Sequence, residues 1–562
     1  MPIRKHKKRG LLFWILLVLA ILLISFVVYF ALVAIDRPPT IDNTAAVKIN
    51  RENPEKDVYT FGNSWLRKSE TGLWEAYIEG DPFERGFAFG QLSKELLYYQ
   101  ETSFVEQIRE LVPSDNYLKV LKYFIAFFNR NLDRHIPDEY KEEIYGTSLA
   151  CSPEYDFIGS GYQRQLNYHA AHDIGHALQG LNLVACTSFS VWDDQSADSS
   201  LLVGRNFDFY MGDKFAENKI VCFMNPAEGY KFMMVTWADM IGVVSGMNEK
   251  GLTVTLNAAK SAIPSQAATP VTILAREIIQ YASTIDEAYA IAAKRKLFVS
   301  ESLMIGSAID GKTAIIEKSP DKMGIVYPVT SSIICSNHFQ GKEFEHDEIN
   351  LENIYGSDSY SRYKRVEELL NRYKVFSPDK MAHVLRDQLA LGDSDAGMGN
   401  QLAINQLIAH HSVVFRPDSL QMWVSTAPWQ LGKYVTYDLR KVFNTGAGHP
   451  LPGSEITAEF LNIAPDSFLN SAAYNNYNRY RLMTRKLREF KDKGESLPGE
   501  FIKEYTGTNP SLYLVYVNIG DYYKEVKQDE LAVKYYTLAL EKKLPGIDER
   551  KKLEELIDKL KN

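Results

Sequence analysis

Apolar positions change their spacing several times along this 562-residue chain. From Leu11 to Ile35 they run on without a charge, directly after the basic cluster Arg4, Lys5, His6, Lys7, Lys8 and Arg9. A run longer than the roughly 20 residues a hydrocarbon core requires predicts a transmembrane anchor over 11–35. The basic tail 1–10 then stays cytoplasmic, and the rest is expected on the extracytoplasmic side, in the periplasm of a Gram-negative source. A cleaved signal peptide is the alternative, and the run is about twice as long as an ordinary h-region. The polar, proline-punctuated stretch 36–59 predicts a linker.

Helical spacing dominates 60–185, in GDPFERGFAFGQLSKELLYY from Gly80 to Tyr99 and again in Tyr117 to Asn131. At about Leu183 the pattern turns to alternation: VACTSFSVW, SLLVGRNFDF, KIVCFMN, YKFMMVTW, then VVSGMNEKGLTVTLN around an Asn248-Glu249-Lys250-Gly251 turn. Helical spacing returns over Val271 to Lys294, Ser359 to Tyr373 and Asp379 to Leu389. Between and after these come the strands SLMIGSAI, TAIIEKS and SSIICSNHF, and two more around Pro417-Asp418-Ser419. Strands and helices in blocks predict an α+β layered sandwich with its core over 186–465, since a parallel sheet would need regular alternation. Charged, tyrosine-rich helices fill 466–562. There Ile519, Gly520, Tyr523, Ala532, Tyr536 and Ala539 match one tetratricopeptide-like (TPR-like) unit, although a single copy reads more simply as a helical hairpin packed on the main domain.

The net charge of -8, with no basic block beyond the first residues, excludes nucleic acid as the expected partner. Cys151, Cys186, Cys222 and Cys335 are too few for a disulfide scaffold and show no C-x-x-C spacing. One disulfide among Cys151, Cys222 and Cys335 remains open beside three buried thiols. No cofactor is expected.

Cys186 alone, opening an apolar strand in Val184-Ala185-Cys186-Thr187-Ser188-Phe189, reads as core filler. The residues beyond it change that reading. Gly204-Arg205-Asn206-Phe207-Asp208 places an arginine and an aspartate three apart. A later strand ends on Asn257, Ser336-Asn337-His338 supplies a second amide, and Arg362 begins a helix. This ordered set resembles the N-terminal-nucleophile (Ntn) cysteine hydrolases, above all the penicillin acyltransferase-like (peptidase C45-type) family, related to choloylglycine hydrolases and acid ceramidases. The resemblance runs from about Gly80 to Ala427, including a glycine pattern at Gly80, Pro82, Gly86 and Gly90.

The resemblance implies a four-layer αββα sandwich and a chain that cuts itself between Ala185 and Cys186. The new α-amine would serve as base for the Cys186 thiol, because such a group titrates near 8. Asp208 would orient that amine, Arg205 would favour the thiolate, and Asn337 with Asn257 would hold the oxyanion. Arg362 would lock this network from behind. Choloylglycine hydrolases carry the cysteine next to the initiator methionine, whereas here a long pro-segment precedes it and must be removed.

A rival constellation is His169, His172 and His176, spaced as one helix face, which would suit a metal ion. No glutamate follows His172 and Gly175 weakens the helix, so packing is the favoured role. The expected reaction is acyl transfer from an acyl amide or acyl thioester, to water in a hydrolase or to an amine in an acyltransferase. Hydrolysis takes precedence because acyl-CoA is not expected outside the cytoplasm. The alternative from another class is a membrane-tethered, non-catalytic scaffold that engages a protein partner through its carboxy-terminal helices.

Overall fold

The alternating segments pair into sheets in the computed structural model, which describes residues 5–33, 36–111, 129–170, 184–238, 240–260, 267–445 and 448–561. Four strands precede the cysteine: β1 (Glu52–Glu55), β2 (Val58–Phe61), β3 (Ser64–Lys68) and β4 (Trp74–Gly80). After them come β5 (Val184–Asp193), β6 (Ser199–Phe209), β7 (Ile220–Pro226), β8 (Phe232–Thr236), β9 (Ser245–Asn248), β10 (Leu252–Ala258), β11 (Glu301–Ser307), β12 (Lys312–Lys318), β13 (Met323–Val326), β14 (Ser332–Cys335), β15 (His411–Arg416), β16 (Gln421–Ser425) and β17 (Tyr434–Asp438). Eleven of them form one sheet in the order β1-β2-β3-β4-β7-β8-β9-β10-β11-β12-β13; six form the other, β14-β5-β6-β15-β16-β17.

The described helices are α1 (Lys5–Val33), α2 (Pro82–Leu111), α3 (Asp138–Ser148), α4 (Gly161–His169), α5 (Val271–Tyr281), α6 (Ile285–Lys294), α7 (Glu348–Gly356), α8 (Ser359–Tyr373), α9 (Pro378–Leu385) and α10 (Leu439–Phe443). Five more close the chain: α11 (Ala472–Lys493), α12 (Gly499–Thr508), α13 (Tyr513–Glu525), α14 (Asp529–Leu540) and α15 (Ile547–Lys561). Helices α2, α3, α5 and α6 cover the outer face of the eleven-stranded sheet. Its inner face meets the six-stranded sheet through Val221, Phe223, Met233, Val203 and Val413. The outer face of the six-stranded sheet, with Phe189, Val191 and Leu202, is covered by Val366 and Leu369 of α8 and Met381 and Leu385 of α9. The layers therefore run helix, sheet, sheet, helix, an α+β sandwich.

Strand β5 shows how alternation serves this arrangement. Phe189 and Val191 are fully buried under the helices, which stabilises by about 1.5–3 kcal/mol each. Ser188 and Ser190 point the other way, and there Ser190 hydrogen-bonds Thr313 at 2.7 Å. An interior lined by small polar groups leaves β5 able to carry chemistry at its first residues.

Ahead of β5, the stretch read as linker and helical segment also builds sheet. Strand β4 pairs parallel to β7 from Trp74↔Ile220 to Gly80↔Pro226. The glycine pattern seen in the sequence has a local cause. A Cβ at Gly86 would collide with the Glu143 carbonyl and one at Gly90 would meet the Thr147 carbonyl at 2.7 Å, so glycine lets α2 and α3 cross at contact. In the carboxy-terminal region, Gly520 makes room for the Tyr536 ring where α13 crosses α14. This region docks on the sandwich through Leu407 and Leu431, which pack with Tyr477, Tyr480 and Leu512.

The expected anchor requires correction. Among the described residues no helix is long and apolar enough to cross a membrane. The transmembrane helix over 11–35, the cytoplasmic tail and the extracytoplasmic placement of the core fall together. The helix expected over Tyr117 to Asn131 lies, for residues 117–128, outside the described residues.

Candidate active site

Cys186 sits near the start of β5, between the sheets and fully buried. In the antiparallel ladder with β6, Cys186 faces Phe207 and Ala185 faces Asp208. Directly opposed side chains share a face, so the thiol points between the sheets and the Asp208 carboxyl lies with Ala185 under the helices. The Ala185–Cys186 peptide thus has a thiol on one side and a carboxyl on the other.

Five of the six residues singled out in the sequence meet around this peptide or its neighbours. Arg205 places Nη2 at 3.5 Å from the Cys186 sulfur. Asn337, just beyond β14, accepts the Cys186 backbone N–H at 2.9 Å through Oδ1. Arg362 of α8 donates to the Cys186 carbonyl at 2.6 Å, to Thr187 Oγ1 at 2.9 Å and to Asn337 Oδ1 at 2.8 Å. It therefore grips both ends of the cysteine. Asn257, at the end of β10, is one step removed: its Oδ1 accepts the Ser188 hydroxyl at 2.8 Å and its Nδ2 donates to the Cys335 carbonyl at 3.1 Å. Asn337 Nδ2 donates to the Ala258 carbonyl at 2.9 Å. Each amide nitrogen has a second hydrogen to offer.

The electrostatics follow from burial. Burial pushes the Cys186 thiol up to about 11 despite the Arg205 guanidinium, with Asp208 and Glu301 adding to the rise. The Asp208 carboxyl is fully buried, and neither oxygen has a hydrogen-bond partner among the described residues. Burial raises it to about 7 against the pull of Arg362 and Arg205. In the uncut chain Asp208 is therefore a neutral acid through much of the acidic range.

His169 has both ring nitrogens engaged. Nδ1 lies 2.7 Å from the Gln165 carbonyl and Nε2 accepts the Ile241 N–H at 3.0 Å. It packs α4 onto the sandwich, while His172 and His176 lie outside the described residues. Cys151, Cys222 and Cys335 are thiols, not joined in a disulfide.

Sequence reasoning passed over Ser245, His411 and Glu301, all buried beside this site. Their signal was a polar residue at an inward position of an otherwise apolar strand, as in Val243-Val244-Ser245 and His411-Ser412-Val413-Val414.

Residues 195–403, which hold Arg205, Asp208, Asn257, Asn337 and Arg362, match the family of acyl-coenzyme A:6-aminopenicillanic acid acyl-transferases. The penicillin acyltransferase resemblance holds. A curated relative, an uncharacterised protein of Archaeoglobus fulgidus, is 25% identical over 300 residues, 50% of this chain and 48% of the relative. The chain thus spans about half the length of that relative. Among solved structures, a Caenorhabditis elegans N-acylethanolamine-hydrolyzing acid amidase ortholog is 17% identical, with 42% of this chain and 93% of that one covered and a TM-score of 0.31. A mutant conjugated bile acid hydrolase from Clostridium perfringens is 15% identical (49% and 96% covered, TM-score 0.32). Penicillin V acylase from Agrobacterium tumefaciens is also 15% identical (47% and 89% covered, TM-score 0.32).

Proposed function

We propose that this chain is a self-cleaving cysteine hydrolase that breaks linear N-acyl amide bonds through an acyl-enzyme on Cys186. The observation that carries this reading is the convergence of Arg205 on the Cys186 sulfur, Asn337 on its nitrogen and Arg362 on its carbonyl.

The first reaction is on the chain itself. The thiol loses its proton to water, the sulfur attacks the Ala185 carbonyl carbon, and the carbon–nitrogen bond breaks. The departing Cys186 nitrogen takes the proton held by Asp208, which is left as a carboxylate beside the new amine. Water then opens the thioester, freeing the Ala185 carboxylate and restoring the thiol. From there the amine, held by Asn337 Oδ1 and Asp208, draws the proton from its own thiol. The thiolate attacks the substrate carbonyl, and the second hydrogens of Asn337 and Asn257 stabilise the oxyanion.

The acyl-enzyme passes its acyl group to water or to an amine. With the extracytoplasmic placement withdrawn, the objection to an acyl-coenzyme A donor goes too. The match to an acyl-transferase family makes an amine acceptor the second reading. The test is amino-terminal sequencing of purified protein together with turnover of N-acyl amides, with and without an added amine. A fragment beginning Cys186-Thr187-Ser188 and release of free acid support the hydrolase, and capture of the acyl group by the amine supports the transferase. An intact chain that turns over nothing would leave the scaffold reading.

Asp208→Asn separates the acid from its charge. Proton donation of this kind contributes about 10²–10⁴-fold, so the variant is expected to cut itself at least about a hundred times more slowly. Wild type has a further signature. The folded carboxyl holds its proton to about 7 while the unfolded one releases it near 3.8. The folded state then binds more protons across that window, and the uncut chain loses stability as pH rises from about 4 to 7. Denaturant titrations of Cys186→Ala and of the Cys186→Ala/Asp208→Asn double variant, both uncut, should show this slope in the first and a flatter one in the second. Equal slopes would remove the neutral acid from the mechanism.

A further inference from the structure

The Arg205 guanidinium is held by a directed chain of neutral groups that leads away from the cysteine. Nη1 donates to the Val244 carbonyl at 2.7 Å and to the Ser245 hydroxyl; Nη2 donates to the Leu256 carbonyl and approaches the Cys186 sulfur. Two of these anchors are backbone; Ser245 supplies a hydroxyl acceptor, and the guanidinium also lies 4.4 Å over the Phe207 ring. Ser245 Oγ lies 2.8 Å from His411 Nε2, and His411 Nδ1 lies 2.9 Å from His410 Nδ1.

Donor and acceptor counting gives the relay its direction. An arginine has only hydrogens to give, so the Ser245 oxygen accepts from it, and giving its own O–H to His411 Nε2 is the arrangement that leaves the buried hydroxyl hydrogen with an acceptor. His411 then carries its hydrogen on Nδ1 and donates it to His410, whose hydrogen is left on Nε2. That nitrogen is buried without a hydrogen-bond partner among the described residues. It sits among Phe207, Phe215 and Trp237, whose ring centroids lie 6.2, 5.6 and 5.2 Å from the imidazole at steep angles. Both imidazoles are kept neutral by burial, reinforced by neighbouring Arg205 and Lys219. A second cation beside Arg205 is thereby avoided.

We propose that Ser245 and His411 are positioning residues for the acyl-transfer reaction: their hydrogen-bond relay aims Arg205 Nη2 at the Cys186 sulfur and so sets how readily the thiolate forms. This rests on Cys186 being the nucleophile. Other charges facing the thiol and guanidinium are Asp208 on β6 and Glu301 on β11, with Arg362 on α8 and Asp358 just before it acting on Asp208, and none of them belongs to the relay.

The experiment measures the rate of Cys186 alkylation by iodoacetamide against pH, by mass spectrometry on the self-cleaved protein, for wild type, Ser245→Ala, His411→Phe and His411→Gln. Ser245→Ala and His411→Phe break the relay and are expected to lower alkylation at pH 7 about tenfold, the profile moving up by about one pH unit. Gln offers an acceptor oxygen in place of Nε2 and is expected to restore the wild-type profile to within about twofold. Should His411→Phe fail to fold, Ser245→Ala, which removes only one oxygen, decides. An unmoved profile in Ser245→Ala overturns the relay, and so does a shift that Gln fails to rescue. Wild-type protein without a fragment starting at Cys186 would instead overturn the nucleophile itself.

Discussion

Cys186→Ala is expected to give a folded chain that never cuts itself and hydrolyses no amide, a loss of at least about 10⁴-fold, because the atom that forms the acyl-enzyme is gone. The fold should survive. The side chain is fully buried but small, and its sulfur contributes one long contact, to Arg205. The Asn337 and Arg362 bonds go to the backbone of residue 186 and are indifferent to its side chain. Electrophoresis should show one full-length band where wild type gives two, with a melting temperature close to that of an uncut wild-type precursor. Cys186→Ser is the informative companion, since a hydroxyl in the same place keeps a weaker nucleophile and should cut slowly. A fragment beginning at residue 186 in the alanine variant, or undiminished turnover, would show that another group performs the chemistry.

How much of this was legible beforehand depended on whether neighbours in space were also ordered in sequence. The six candidate residues could be picked out because the resemblance places them in a fixed order along the chain, on β5, β6, β10, just past β14 and on α8. The sandwich was legible for a related reason: alternation is a local property, and VACTSFSVW announces its two faces without help from the rest of the chain. Pairing partners are not local. Strands β1 to β4 are short, and nothing in Trp74 to Gly80 shows that it joins β7 in parallel across well over a hundred residues. The relay from Arg205 escaped for the same reason. Ser245 and His411 are ordinary strand residues until β9 and β15 are brought to either side of one guanidinium. The amino-terminal run failed differently. Its apolar character is plain in the sequence, but among the described residues no helix is long and apolar enough to cross a membrane.

The largest expected loss of stability lies away from the cysteine, at Glu143→Ala. Glu143 on α3 is fully buried between Arg85 of α2, at 2.8 Å, and Arg276 of α5, at 3.1 Å. Burial alone would push this carboxyl up, but the two guanidiniums hold it below the usual carboxylate range. Arg276 also donates to the Ile241 carbonyl at 2.9 Å and lies 4.6 Å over the Phe232 ring, so neither arginine has an open path to water. Removing the carboxylate leaves two buried cations uncompensated, and breaking a buried pair in this way costs about 3–5 kcal/mol. The denaturation midpoint should fall accordingly, with Glu143→Gln between the two because an amide keeps hydrogen-bond acceptance without the charge. The position of the triad gives the result a second meaning. Arg85 and Glu143 precede the proposed cut and Arg276 comes after it, on the same side as β7, which pairs with β4 from the amino-terminal part. After cleavage the two pieces should therefore stay together through buried charge and seven registered strand positions, and Glu143→Ala should make them separable at lower denaturant than wild type. A loss under about 1 kcal/mol, or pieces that part on gel filtration without denaturant in the wild type, would show that this interface does not hold the halves.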